Sequence, residues 1–364
     1  MKKATWILAL TLLTLASMAF AGDERNPNWG TPNSPSMVGV KVEPIPPNLG
    51  VIQPATGVIP GREGIGVSSL VFPNSQVAAG GAGLRNRTRA HIQLTGGNVN
   101  HANATAGVMY WAIITTGPAP SQYYSVTLTN EQSGLSANLV GTVMGTGPSP
   151  GWPGDTITVF RVLVPTNPTG PLGPTNVGDY EVDVSSGASN DYHNPWVGTP
   201  SAPEWEGVSL ILVFPGDTNN NGTVAFYDTG ISGVTFGGSF GDTLAYTLQL
   251  PKKHVPRYFY NIGADGQVGV SLSGAFAQID AEQLFLNNKQ FSGFPREPGR
   301  AIDVLDPDSD WNGTIAGPLP QLWDTTGHTI SELGETGGFL DVVYTNAKDD
   351  LITGVANVTV QLPY

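Results

Sequence analysis

The chain reads as an all-β protein: one large or two smaller antiparallel β-sandwich or jelly-roll domains behind an extended proline-rich arm. Three observations predict this. Short runs rich in Val, Ile, Thr, Tyr and Phe recur from residue 67 to the end, many alternating apolar with polar residues. Clusters of Gly, Pro, Asn and Asp, as at 148–154 and 167–173, separate them at close spacing. Only one stretch, 277–287, has the look of a helix.

Residues 1–21 read as a secretory signal peptide. Lys2 and Lys3 precede a short apolar stretch, and Ala19-Phe20-Ala21 offers a small-residue cleavage site. The stretch is shorter than the ~20 apolar residues of a membrane span, and no later segment reaches that length, so the expectation is a secreted chain without membrane insertion. No cysteine stands at the cleavage site to carry a lipid anchor, and none is present anywhere to form a disulfide scaffold. Stability must therefore come from a large core, or from a metal.

Residues 22–66 are dense in Pro, Asn and Gly, with one alternating island at Val38-Gly39-Val40-Lys41-Val42. They read as an extended arm rather than a packed element. From there β-type runs fall at 68–72, 89–94, 107–115, 123–129, 156–164, 179–184 and 207–214, then at 243–250, 257–262, 267–272, 340–345 and 352–362. A sandwich domain over 67–250 is expected, followed over 251–364 by a second one or by a continuation of the first. The seam would lie near 230–255.

The formal net charge is −13, and losing Lys2 and Lys3 would make it more negative. Such a surface repels nucleic acid and anionic membranes. Charged residues are only 12% of the chain, against about 25% in ordinary globular domains. Thr, Ser, Asn and Gly must then cover the surface, which leaves strand edges poorly guarded by charge.

One segment has the spacing of a calcium-chelating loop. Asp217, Asn219 and Asn221 occupy loop positions 1, 3 and 5, Gly222 the sharp turn, Thr223 the carbonyl position and Asp228 the closing carboxylate. Its flanks read as strands, so it would cap a hairpin instead of joining two helices. Only Asp217 and Asp228 are charged, which implies a dissociation constant on the order of 10⁻⁴–10⁻³ M. A plain Asn/Gly hairpin turn explains the same residues. A second cluster, Asp306, Asp308 and Asp310 before Gly313, places its glycine two positions late and reads first as a solvated acidic turn.

Catalytic motifs are absent or fail on physical grounds. Gly147-Pro148-Ser149-Pro150-Gly151 has the pattern of a nucleophile elbow, but Pro150 lacks the N–H that the oxyanion hole needs. His91, His101, His193, His254 and His328 show no metalloprotease spacing and read as surface or hydrogen-bonded residues. Trp196, Trp205, Trp311 and Trp323 lie near turns or strand ends, where they could stack on sugars or anchor the core. Paired carboxylates of a glycosidase depend on distance in space, which chain spacing does not reveal.

Several collinear segments resemble a family of secreted bacterial and archaeal β-domains of unknown function, found in large cell-surface or matrix proteins. They include Tyr110-Trp111-Ala112, the run from Gly145 to Trp152 leading into Val159-Phe160-Arg161, and the run from Trp205 to Phe214. Phe226-Tyr227-Asp228, Ala264-Asp265-Gly266-Gln267, Leu322-Trp323-Asp324 and the closing 351–362 strand continue them. The resemblance spans about 105–362 and implies a surface-associated, adhesive or structural role with no catalytic residues to carry over. The expectation is a non-catalytic extracellular protein, self-associating into fibres or matrix through its arm and possessing calcium as a stabiliser. The alternatives are a carbohydrate-binding protein with a glycan or cell-surface partner, and a secreted glycosidase.

Overall fold

The structure is a computed structural model and describes residues 66–67, 69–84, 88–92, 94, 103–148, 155–166, 170–172, 179–184, 203–216, 222–228, 243–251, 256–266, 270–272, 275–277, 283–287, 289–292, 323–334, 336–345 and 351–361. Nearly all of these are strand. The first are β1 (Gly66–Val67), β2 (Leu70–Gly83), β3 (Arg89–Ile92), β4 (Ala106–Thr115), β5 (Ser125–Asn130), β6 (Ser136–Val140) and β7 (Thr142–Pro148). Next come β8 (Thr156–Val164), β9 (Tyr180–Asp183), β10 (Glu204–Pro215), β11 (Gly222–Asp228), β12 (Thr243–Gln249) and β13 (Pro256–Gly266). The last are β14 (Val270–Leu272), β15 (Ala275–Ala277), β16 (Gln283–Leu286), β17 (Lys289–Ser292), β18 (Trp323–Thr329), β19 (Phe339–Thr345) and β20 (Leu351–Gln361). The expected all-β class is what the chain adopts, with antiparallel pairing throughout except for the two residues of β1 on β12.

A nine-stranded sheet in the order β18-β13-β20-β11-β2-β10-β4-β8-β7 dominates. It draws strands from both sides of residue 250. A four-stranded sheet, β3-β9-β5-β6, and a five-stranded one, β1-β12-β19-β16-β17, accompany it, with the small β14-β15 hairpin apart.

The large sheet is rolled. Its inner face carries Val77, Val108, Tyr110, Ile157, Val159, Ile211, Val224, Phe226, Ile262, Trp323 and Val358 as one buried cluster. Alternate residues of the same strands point outward. Met109, Trp111, Phe160, Leu210 and Leu212 meet Val126, Leu128 and Val182 of the four-stranded sheet. Ala225, Tyr227 and Phe259 meet Leu248, Leu284, Leu340 and Val342 of the five-stranded one. The sheet is thus buried on both faces over much of its area, which explains why β11 is buried at every position. Burying an apolar side chain is worth about 1.5–3 kcal/mol, and these three clusters take the place of the missing disulfides.

The β2 strand runs much longer than the 68–72 segment expected from the sequence. Its second half, Val77-Ala78-Ala79-Gly80-Gly81-Ala82-Gly83, is poor in β-formers, yet it pairs with β10 along its whole length. Small residues are needed there because β18 lies directly on top: a Cβ on Gly81 would sit 2.1 Å from the Thr325 hydroxyl. Pro73 and Asn74, the latter at φ 53°, form a bulge where the pairing with β11 slips between Gly222 and Val224.

The helix expected over 277–287 is not formed by its described residues. Ala277 ends β15, and Gln283–Leu286 is a strand in which Leu284 and Leu286 point into the core. Two apolar residues at period two outweigh the helix-forming composition of that stretch. No described helix is long and apolar enough to cross a membrane. The expected signal peptide and nearly all of the 22–66 arm lie outside the described residues; only Gly66 is seen, in β1.

Two buried tyrosines predict an alkaline transition. Burial pushes the Tyr180 and Tyr227 hydroxyls up to about 12, from an ordinary value of 10.0. The unfolded chain releases these protons near pH 10 while the folded chain keeps them to about pH 12. Each therefore contributes stability that is present below pH 10 and is lost between about pH 10 and 12, on the order of 2–3 kcal/mol. Phenolate absorbance at 295 nm followed with far-ultraviolet circular dichroism should show these two ionising only as the fold melts. Early ionisation in a folded chain would refute the burial.

Candidate functional site: a pinned roll, a charged sheet face and an uncharged edge

The calcium-loop residues divide in the structure. Thr223 and Asp228 both lie on β11, which pairs in extended register with β20 from Thr223 opposite Gln361 to Asp228 opposite Ala356. Five residue steps along the strand separate them by roughly 17 Å at about 3.3 Å per residue. They cannot share one ion, so Asp228 is not the closing ligand of a loop that begins at Asp217. Asp217, Asn219 and Asn221 lie outside the described residues, as do Asp306, Asp308 and Asp310, Ser149, Trp196 and Trp311.

Asp228 has other work. Its side chain is buried inside the roll, where the Tyr110 hydroxyl donates to Oδ1 at 2.8 Å and the Arg161 guanidinium pairs with Oδ2. Tyr110 and Arg161 stand opposite each other on β4 and β8. Arg161 also donates to the Ser69 hydroxyl at 3.0 Å, and Ser69 N–H donates to the Phe226 carbonyl at 2.8 Å. In the sheet order β11 and β8 are four places apart, which in a flat sheet would be about 19 Å. The ion pair therefore bridges the interior and pins the roll shut. Burial first, and then the Asp228 charge, raise the Tyr110 hydroxyl well above its ordinary range. The Tyr110 hydroxyl therefore keeps its proton at neutral pH, as its hydrogen bond to Asp228 requires.

A second seam stands beside the first, since Ser209 lies opposite Tyr110 in the β10–β4 register. Trp323 and Thr325 of β18 lie across β10, five places away in the sheet order. Trp323 Nε1 donates to the Ser209 hydroxyl at 2.9 Å, and Ser209 and Thr325 share a hydrogen bond of 2.5 Å. Gly207 makes the floor, since a Cβ there would meet the Trp323 ring at 2.2 Å. Trp205, fully buried, packs edge-on against Tyr123. Both tryptophans are core anchors, and neither can stack on a sugar.

The outward face of the four-stranded sheet carries charge. Arg89 on β3 pairs with Asp183 on β9 at 2.8 Å, and His91 meets Glu131 beside Glu181. Chain spacing could not find this group, because Glu131 and Glu181 are tens of residues from His91; only the strand register joins them.

The flank formed by β6 and β7 is the opposite in character. These strands end the four-stranded and nine-stranded orders respectively, and the chain crosses between them at Gly141. Glycine is required at that crossing, because a Cβ would lie 2.4 Å from Trp111, which stacks on Phe160. No charged residue occurs from Ser136 to Pro148. Val140 and Val143 are 64% and 38% exposed along it, and Leu163 of the neighbouring β8 is 54% exposed.

The fold and sites define an all-β chain built on a pinned, rolled sheet. No family model and no curated protein matches it. Among solved structures it is similar to the ANX1 ectodomain from Arabidopsis thaliana, with TM-score 0.25 and 8% identity over 80% of this chain and 89% of that one. It is also similar to the plant receptor-like kinase ANX2, with TM-score 0.26 and 7% identity over 79% and 83% of the two chains. Scores this low leave the role to be read from the chain's own residues.

Proposed function

We propose that this is a non-catalytic, exported structural protein that joins copies of itself into fibres or matrix by adding a strand at its bare sheet edge. The observation that carries the reading is the uncharged β6–β7 flank with its exposed Val140 and Val143. Sheet edges in soluble proteins are ordinarily blunted by charge, and main-chain pairing at an open edge gives affinity with little demand on sequence. This edge has partial protection from a bulge between Val143 and Gly145 and from Pro148, which leaves the Ser136 to Val143 portion as the acceptor. The donor is the alternating 38–42 island in the 22–66 arm of a second copy. A head-to-tail contact of this kind does not close on itself and propagates.

The test compares the mature chain with a 22–65 deletion and with Val143→Lys, by sedimentation and negative-stain microscopy. The parent is expected to form concentration-dependent oligomers or filaments, and each variant to remain folded and monomeric. A parent that stays monomeric, or assembly that survives both changes, would sink the reading. Calcium is left out of it, because Asp228, one of the two carboxylates assigned to the ion, is engaged inside the roll.

A further inference from the structure

We infer that His91, Glu131 and Glu181 form a site for a divalent transition-metal ion of the zinc type on the outward face of the four-stranded sheet. One nitrogen of His91 and one carboxylate oxygen from each glutamate lie within 4.8 Å of one another. They arrive from three separate segments: β3, the turn that follows β5, and β9. His91 and Glu181 are directly opposite in the β3–β9 register, so the backbone itself sets their spacing.

The third ligand is held as firmly. Glu131 N–H donates to the Asp179 carbonyl at 3.0 Å. The buried Asn130 next to it accepts from the Gln132 and Ser133 amides at 3.0 and 2.9 Å, which fixes the turn. Tyr180 beside Glu181 and Val182 beyond it are core residues, anchoring β9 from below.

Charge favours a dication here. Two carboxylates and a neutral imidazole match a 2+ ion, while Arg89, the guanidinium paired here among the described residues, sits 2.8 Å from Asp183 and 3.9 Å from Glu181. The donor set decides the kind of ion. Calcium takes six to eight oxygens, and one imidazole with two carboxylates falls well short of that. The same set suits zinc or cobalt, which bind His nitrogen and Glu oxygen at about 2.0–2.2 Å with three protein ligands and an open fourth position. That open position faces solvent, since His91 and Glu131 keep 38% and 34% of their side-chain surface exposed.

The full chain is titrated with cobalt(II) and followed by its visible absorption, and its melting temperature is measured with zinc and with calcium. The expected result is a cobalt band of a four- or five-coordinate centre, a zinc-dependent rise in melting temperature, and no effect of calcium. His91→Ala and Glu181→Gln should each abolish the band and the zinc shift while melting like the parent without metal, both positions being at the surface. A parent without a band or zinc shift would show a bare ion pair and overturn the assignment. An undiminished zinc response in both variants would place the ion elsewhere and overturn it equally.

Discussion

Asp228→Ala is expected to destabilise the fold by about 3–5 kcal/mol, because it leaves the Arg161 charge unpaired beside the roll's interior. The side chain of Asp228 is almost wholly buried while that of Arg161 is 21% exposed, so Arg161→Met, which strands the carboxylate, should cost at least as much. The informative variant is the pair Asp228→Leu with Arg161→Met. Buried ion pairs replaced by well-packed apolar residues are often neutral or stabilising, so the double variant should recover most of the loss. Urea unfolding measures this through the midpoint at constant slope. A single-variant loss under about 1 kcal/mol would mean that the pair does not bridge a dry interior.

Trp323→Ala should cost about 3–5 kcal/mol, the usual range for deleting a buried aromatic ring. Gly207→Ala should be harmful for the opposite reason, by overpacking, at about 1–3 kcal/mol. The two changes act on one contact, so they should couple: in the Trp323→Ala background the added methyl fills the vacated space and its cost should shrink or reverse. Strict additivity in that double-mutant cycle would show that β18 does not lie on β10.

The sequence made the class of fold plain, and the reason is visible at 156–162, where Thr156-Ile157-Thr158-Val159-Phe160-Arg161-Val162 alternates as a strand should. It was far less informative where a strand is buried on both faces or packed against another layer. The second half of β2 is alanine and glycine because Thr325 lies against Gly81, and no local signal records a neighbour more than two hundred residues away. The 277–287 stretch misled for a similar reason, since only the core beneath Leu284 and Leu286 selects period two. The calcium spacing was genuine as a pattern. Asp228, however, lies at the far end of an extended strand, and its partners Tyr110 and Arg161 are brought to it by curvature of the sheet. His91, Glu131 and Glu181 were present as letters and invisible as a group.

The strand Leu351–Gln361 inserts between β11 and β13, in the middle of the large sheet's order. During synthesis, then, an inner stave of the roll emerges after nearly everything it must hold together. Until it arrives, β11 and β13 each offer an open backbone ladder, the kind of surface that recruits strangers. A ribosome-bound chain of this design stays unfinished until this strand has emerged. Cutting it before Leu351 should yield insoluble material instead of a smaller folded body.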